Sequence, residues 1–163
     1  MEVVSLIGAA RDYFIRDREA RYGVVRPICV TIVGDGAGIG NASCGPLTIM
    51  SIRGGDKCIL TCAPFDPEDR LWNGPDILPN ERDDGSMVAS LWHDLIWGFA
   101  AEIALQTGLS VAEVKQWGNG VLFSVWRSYA QKHGVWTWFN RLLARAAYVV
   151  TSWSKKWYGK VKG

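Results

Sequence analysis

A chain of 163 residues, 48% hydrophobic and 21% charged, is the size of one domain. It carries enough apolar side chains to offset the entropy of ordering, which excludes wholesale disorder and two full-sized domains. Its formal net charge of +2 conceals an asymmetry, because residues 1–113 hold 9 Lys/Arg and all 16 Asp/Glu while residues 114–163 hold 9 basic residues and no acid. Net charge bears on association more than on fold. An acidic part folded against basic helices is the plain reading. The sharper one is a basic surface for nucleic acid, anionic lipid or an acidic subunit.

In chain order, residues 2–21 predict an amphipathic helix, with Val3, Val4, Ile7, Ala10 and Phe14 at helical spacing and Gly23 as its stop. Charges at Arg11, Asp12, Arg16 and Asp17 come too early for a cleavable signal peptide. The segments 24–33, 46–53 and 57–63 are apolar and rich in β-branched residues, and Gly54-Gly55-Asp56 marks a hairpin between the last two. Gly34-Asp35-Gly36-Ala37-Gly38-Ile39-Gly40 follows a strand but lacks nucleotide-loop spacing, so it reads as a flexible or partner-contact connection. Residues 64–85 carry four prolines and seven acids without periodicity, which predicts a long structured loop.

Three helices are expected after it, over 86–107, 110–132 and 135–158, ahead of a basic tail at 159–163. Ser110 with Glu113 forms a capping box, and Gly108 and Gly134 are stops. The expected fold class is therefore α+β in a single domain: an N-terminal helix, a small antiparallel sheet, a long loop and a three-helix C-terminal bundle. None of the helical runs offers ~20 uncharged apolar residues, so no membrane span is expected.

The helix over 86–107 is apolar nearly all round, which predicts a central position. His93 and Asp94 sit in it. On the next helix, Asn119 lies between Gly118 and Gly120, two glycines that each sacrifice ~1 kcal/mol of helix propensity and so imply close packing against the helix bearing His93. Cys29, Cys44, Cys58 and Cys62 lack a standard metal-ligand spacing and read as buried free thiols. Trp136, Trp138, Trp153 and Trp157, with Lys155 and Lys156, are candidate interface residues, since bulky aromatics interleaved with cations suit a contact surface.

The run Met87-Val88-Ala89-Ser90-Leu91-Trp92-His93-Asp94-Leu95-Ile96-Trp97, followed by Trp117-Gly118-Asn119-Gly120-Val121-Leu122-Phe123, resembles a tailed-phage and prophage family of unknown function. That family has an Ala-rich helix with His-Asp-x-Leu-Tyr and a second helix with Ala-Asp-x-x-Phe. The resemblance spans roughly residues 83–155 and leaves residues 1–63 unmatched. It implies a virion structural protein, made in the host cytoplasm and associated with tail tip, baseplate or neck. Its partners would be other virion proteins in an oligomeric assembly, and it needs no cofactor.

The same two helices are similar to the His-Asp helix of phospholipases A-two, which implies the alternative of a lipid hydrolase acting on host membrane. His93 would then be the general base, Asp94 a calcium ligand and Asn119 the group orienting the imidazole. Two residues depart from the pattern: Asn119 stands where the family has Asp, and Trp97 where it has Tyr. The calcium-binding Cys-Gly-x-Gly loop is absent too. A second alternative is an accessory protein whose basic C-terminal half binds nucleic acid.

Overall fold

The computed structural model describes residues 1–7, 13–17, 19, 21–74 and 84–132. Seven strands come first: β1 (Glu2–Ile7), β2 (Phe14–Arg16), β3 (Tyr22–Val24), β4 (Ile28–Val33), β5 (Ala42–Cys44), β6 (Leu47–Ile52) and β7 (Lys57–Cys62). Three helices follow: α1 (Asp84–Gly98), α2 (Ala100–Thr107) and α3 (Val111–Lys132). The fold is α+β. Five strands form an antiparallel sheet in the order β1-β4-β7-β6-β5, and β2 pairs with β3 in a separate ribbon.

The expected N-terminal helix over 2–21 is corrected: Glu2–Ile7 and Phe14–Arg16 are strands. Of the β1 residues at helical spacing, Val3 packs on the core while Val4 and Ile7 are 56% and 60% exposed, and a bulge lies between Val3 and Ser5. It inserts one residue opposite β4, so that Val3 and Leu6 both face the core although they are three apart, which is the interval a helix would show. Gly23, expected to stop that helix, instead lies within β3. A Cβ there would stand 2.6 Å from the Phe65 carbonyl oxygen, so glycine allows the chain around Phe65 and Pro67 to lie against the ribbon.

Strands β4, β6 and β7 arise where the sequence is β-branched and apolar, and the β6–β7 turn places Gly54 and Gly55 at φ of 68° and 96°, a backbone region that glycine enters at little cost. Alternation along these strands sends Ile28, Val30 and Ile32 of β4 and Cys58, Leu60 and Cys62 of β7 into the core.

The other face runs in three cross-strand rows. Glu2, Val33, Lys57 and Ile52 make the first, and Ser5, Thr31, Ile59 and Met50 the second. Ile7, Cys29, Thr61, Thr48 and Ser43 make the third. Every one of these positions is half-buried or exposed, with Ile7 and Met50 at 60% and 50% exposure.

The helices cover the inner face. From Ser86 to Trp92 every residue of α1 is buried, as are Leu95 and Ile96, in keeping with a central helix. The single helix expected over 86–107 is broken at Phe99, directly after Gly98, into α1 and α2. The capping box expected at the start of α3 is present: Ser110 Oγ accepts the Glu113 N–H at 3.2 Å, and Glu113 Oε2 accepts the Ser110 N–H at 2.8 Å. Helices α1 and α3 run antiparallel, because Gly85 lies against Tyr129 while Ile96 and Trp97 lie against Gly118.

The Gly34–Gly40 segment is pinned to its surroundings. The indole of Trp117 donates to the Ala37 carbonyl at 3.1 Å, and Ser51 Oγ donates to the Gly40 carbonyl at 2.7 Å. The long loop expected over 64–85 contains a short helical turn at Pro67–Asp69, and α1 has begun by Asp84. The third expected helix at 135–158 lies outside the described residues. So do Gly134, the basic tail and the candidate interface residues Trp136, Trp138, Trp153, Trp157, Lys155 and Lys156.

Candidate functional site

The site that sequence points to lies on two adjoining faces of α1. Ser90 and Asp94 are one turn apart and both hold the segment after Arg70. Trp72 is fully buried and donates its indole N–H to Ser90 Oγ at 3.0 Å, while the Asn73 backbone N–H donates to Asp94 Oδ2 at 3.4 Å. Ser90 Oγ in turn donates to the Met87 carbonyl at 2.9 Å, so the hydroxyl is satisfied on both sides. Trp72 also joins the ribbon to the helix layer: its ring lies 5.0 Å from Tyr22 and 5.2 Å from Phe14, and its carbonyl accepts the Tyr22 N–H at 3.1 Å.

His93 and Asp94 are neighbours in space as well as in sequence, with His93 Nδ1 3.1 Å from Asp94 Oδ1. A carboxylate can only accept, so the proton of this contact belongs to Nδ1. In the neutral ring that leaves Nε2 as a bare acceptor, and it is buried without a hydrogen-bond partner. The imidazole lies 5.0 Å from the Trp97 ring, one helical turn on, and the Lys115 ammonium sits over that same indole, 4.7 Å from its ring centroid.

Asn119, 1% exposed, reaches Trp97 rather than His93: Trp97 Nε1 donates to Asn119 Oδ1 at 3.1 Å. Its amide nitrogen is buried and unpartnered, as are the indole nitrogens of Trp92 and Trp126. The close approach that permits the Trp97–Asn119 bond comes from Gly118, where a Cβ would stand 2.8 Å from Ile96 Cγ2. Gly120 does something different, since a Cβ there would meet Met1 Cε at 2.5 Å, and so it faces the start of β1.

Chemically this is a seam between two helices. Asp94 spends its two oxygens on His93 and on Asn73, and Asn119 spends its carbonyl on an indole. His93 and Asp94 are thus brought together, while Asn119 joins them through Trp97. Among the described residues no group of three His, Cys, Asp or Glu is placed to hold a metal ion.

The four cysteines are free thiols, with Cys44, Cys58 and Cys62 buried and Cys29 half-buried on the outer face of the sheet. Burial pushes the Cys58 and Cys62 thiols up to about 12 and raises Cys44 as well, which keeps all three protonated at neutral pH and poor as ligands or nucleophiles.

An open cleft of about 550 Å³ lies elsewhere, lined by Ile15, Asp17, Glu19, Arg21, Asp66, Pro67 and Glu68. Arg21 already bonds Asp17 Oδ2 at 2.6 Å there and approaches Glu19 at 3.3 Å. Asp17 loses some acidity to desolvation, but hydrogen bonds from the Arg21 backbone and side chain, and the Arg21 charge, leave its carboxyl below the usual range.

Sequence reasoning did not anticipate Trp72, Ser90, Asn73 or Lys115 around the His-Asp pair. A lone tryptophan in a proline-rich acidic stretch was the available signal for the first, since an indole in such a segment needs somewhere to be buried. The chain matches no family model, no curated protein and no solved structure.

Proposed function

We propose that this chain is an assembly subunit, a structural protein that acts through subunit–subunit contacts. The observation that carries the reading is the outer face of the sheet. Its thirteen row positions hold charge only at Glu2 and Lys57, and an antiparallel sheet that turned this face to water would be expected to alternate apolar with polar and charged side chains. Six of the thirteen, Val33, Ile52, Ile59, Met50, Ile7 and Cys29, are apolar, and contiguous exposed apolar surface is characteristic of contact sites. The resemblance of the α1 and α3 motifs to a tailed-phage family supports a virion component at the tail tip, baseplate or neck. Among the described residues, no helix is long and apolar enough to cross a membrane.

The arrangement around His93 favours this over lipid hydrolysis. A general base needs its accepting nitrogen open to water and substrate, whereas His93 Nε2 is buried. The test compares particles carrying the wild-type chain with particles from cells carrying Ile59→Lys, quantifying the chain by mass spectrometry. Wild-type incorporation lost in the variant is expected, and a chain that never enters particles overturns the reading. In parallel, a calcium-titrated hydrolysis assay on phospholipid vesicles, with His93→Gln as control, is expected to show no turnover. Calcium-dependent activity lost in that control would establish the hydrolase instead.

A further inference from the structure

The open sheet face raises the question of what occupies it, and the positions of its two charges give an answer. Glu2 stands on β1 and Lys57 on β7, and both pair directly with Val33 of β4. The acid and the base therefore lie in one row, one strand to either side of β4, at equal spacings of ~4.8 Å. Neither is engaged in an ion pair among the described residues.

We propose that the occupant is a second copy of this chain, packed sheet to sheet about a two-fold axis that runs along β4. A rotation about that axis brings β1 of one copy over β7 of the other and keeps each row opposite itself. Glu2 then faces Lys57 of the second copy, and Lys57 faces its Glu2, so the two charges among the thirteen row positions neutralise each other twice. Thr31 and Cys29 meet their own counterparts on the axis, and the remaining contacts are apolar or hydroxyl-bearing. This self-complementarity is what an isologous contact requires. An axis across the strands instead would set Glu2 against the uncharged third row and leave both charges unpaired.

The magnitude follows from the size of the face. With the axis along β4, strands β1, β4 and β7 overlap their counterparts, and three strands at ~4.8 Å by three rows at ~6.8 Å cover on the order of 300 Å² per copy, well under half of what a standard stable interface buries on each partner. Association is accordingly expected to be weak and transient, with half-dimerisation on the order of 100 μM. This inference rests on the reading of the outer face as a contact surface, and it names the partner.

Sedimentation velocity of the full chain between about 1 and 500 μM tests it, with circular dichroism to verify folding of each variant. The wild type is expected to pass from monomer to dimer across this range. Thr31→Lys sets two like charges on the axis and is expected to give monomer throughout. Glu2→Lys and Lys57→Glu are each expected to weaken the dimer about tenfold, and the double reversal is expected to restore it, because the pairs are recreated with opposite sign. Alkylation of Cys29, followed by mass spectrometry, is expected to slow as the dimer forms.

A chain that is monomeric at every concentration overturns the proposal, as does a dimer indifferent to Thr31→Lys or a double reversal no better than its single parents. If Cys29 is shielded from alkylation while the full chain sediments as a monomer, something other than a second copy covers the face, and the proposal falls. Failure here with particle incorporation still lost in Ile59→Lys removes only the self-pairing. Failure of both removes the contact surface itself.

Discussion

His93 illustrates how a residue that reads as catalytic can be held as architecture. Its ring is 13% exposed, its Nδ1 is engaged by Asp94 and one face lies against Trp97. Deleting the imidazole removes the partner of a carboxylate that also anchors Asn73, and opens a gap beside the indole. His93→Ala is therefore expected to destabilise the fold by ~1–3 kcal/mol, read from urea unfolding of variant and parent. Equal stability would remove the structural role of this pair. The sequence made His93, Asp94 and Asn119 visible as a polar constellation on apolar helices. It did not show that an indole stands between Asn119 and the imidazole, because nothing in one-dimensional spacing fixes which donor reaches a buried amide first.

At the scale of elements, the two glycines of α3 look equivalent in sequence and differ in space. A methyl at Gly118 meets Ile96, which is fully buried and has no room to retreat, whereas a methyl at Gly120 meets only the flexible end of Met1. Both substitutions gain ~1 kcal/mol of helix propensity. Gly118→Ala is expected to lose more than that through overpacking, with a net destabilisation of ~1–2 kcal/mol. Gly120→Ala is expected to be neutral or stabilising by up to ~1 kcal/mol, and thermal melts of the pair check the opposite signs.

The helices were legible for a local reason. Caps such as Ser110 with Glu113 and a sustained apolar stripe state their own boundaries. Strand β1 was not legible, since its exposed Val4 and Ile7 fall at helical spacing from the core-facing Val3. Strand β5 escaped too, being three residues long and apolar only at its ends.

For the whole molecule, the relevant asymmetry is between the two edges of the sheet. The β5 edge is closed by a side chain: Gln106 accepts the Ser43 N–H at 2.9 Å and donates to the Ser43 carbonyl at 3.1 Å, taking the place of a further strand. Unpaired edges invite other chains, and capping one is a protection against that. Gln106→Ala is expected to raise end-to-end association, seen as a concentration-dependent rise in light scattering without loss of helical signal. A variant that scatters like its parent would show that the edge needs no cover. Neither this cap nor the sparsely charged outer face was readable beforehand, because both depend on which strands are neighbours, and the pairing of β1 with β4 was hidden along with β1 itself.

The contact of Met1 with α3 also has a temporal side. The Ser124 hydroxyl reaches the Met1 carbonyl at 3.5 Å, across 123 residues of sequence. During synthesis from the N-terminus, β1 can pair with β4 early, yet its inner side must wait for nearly all of the described chain to be made before α3 arrives to cover it. At ~5–20 residues per second that interval is on the order of 6–25 seconds. A nascent chain with Val3 and Leu6 uncovered for so long is a natural client for whatever shields apolar strands at the ribosome.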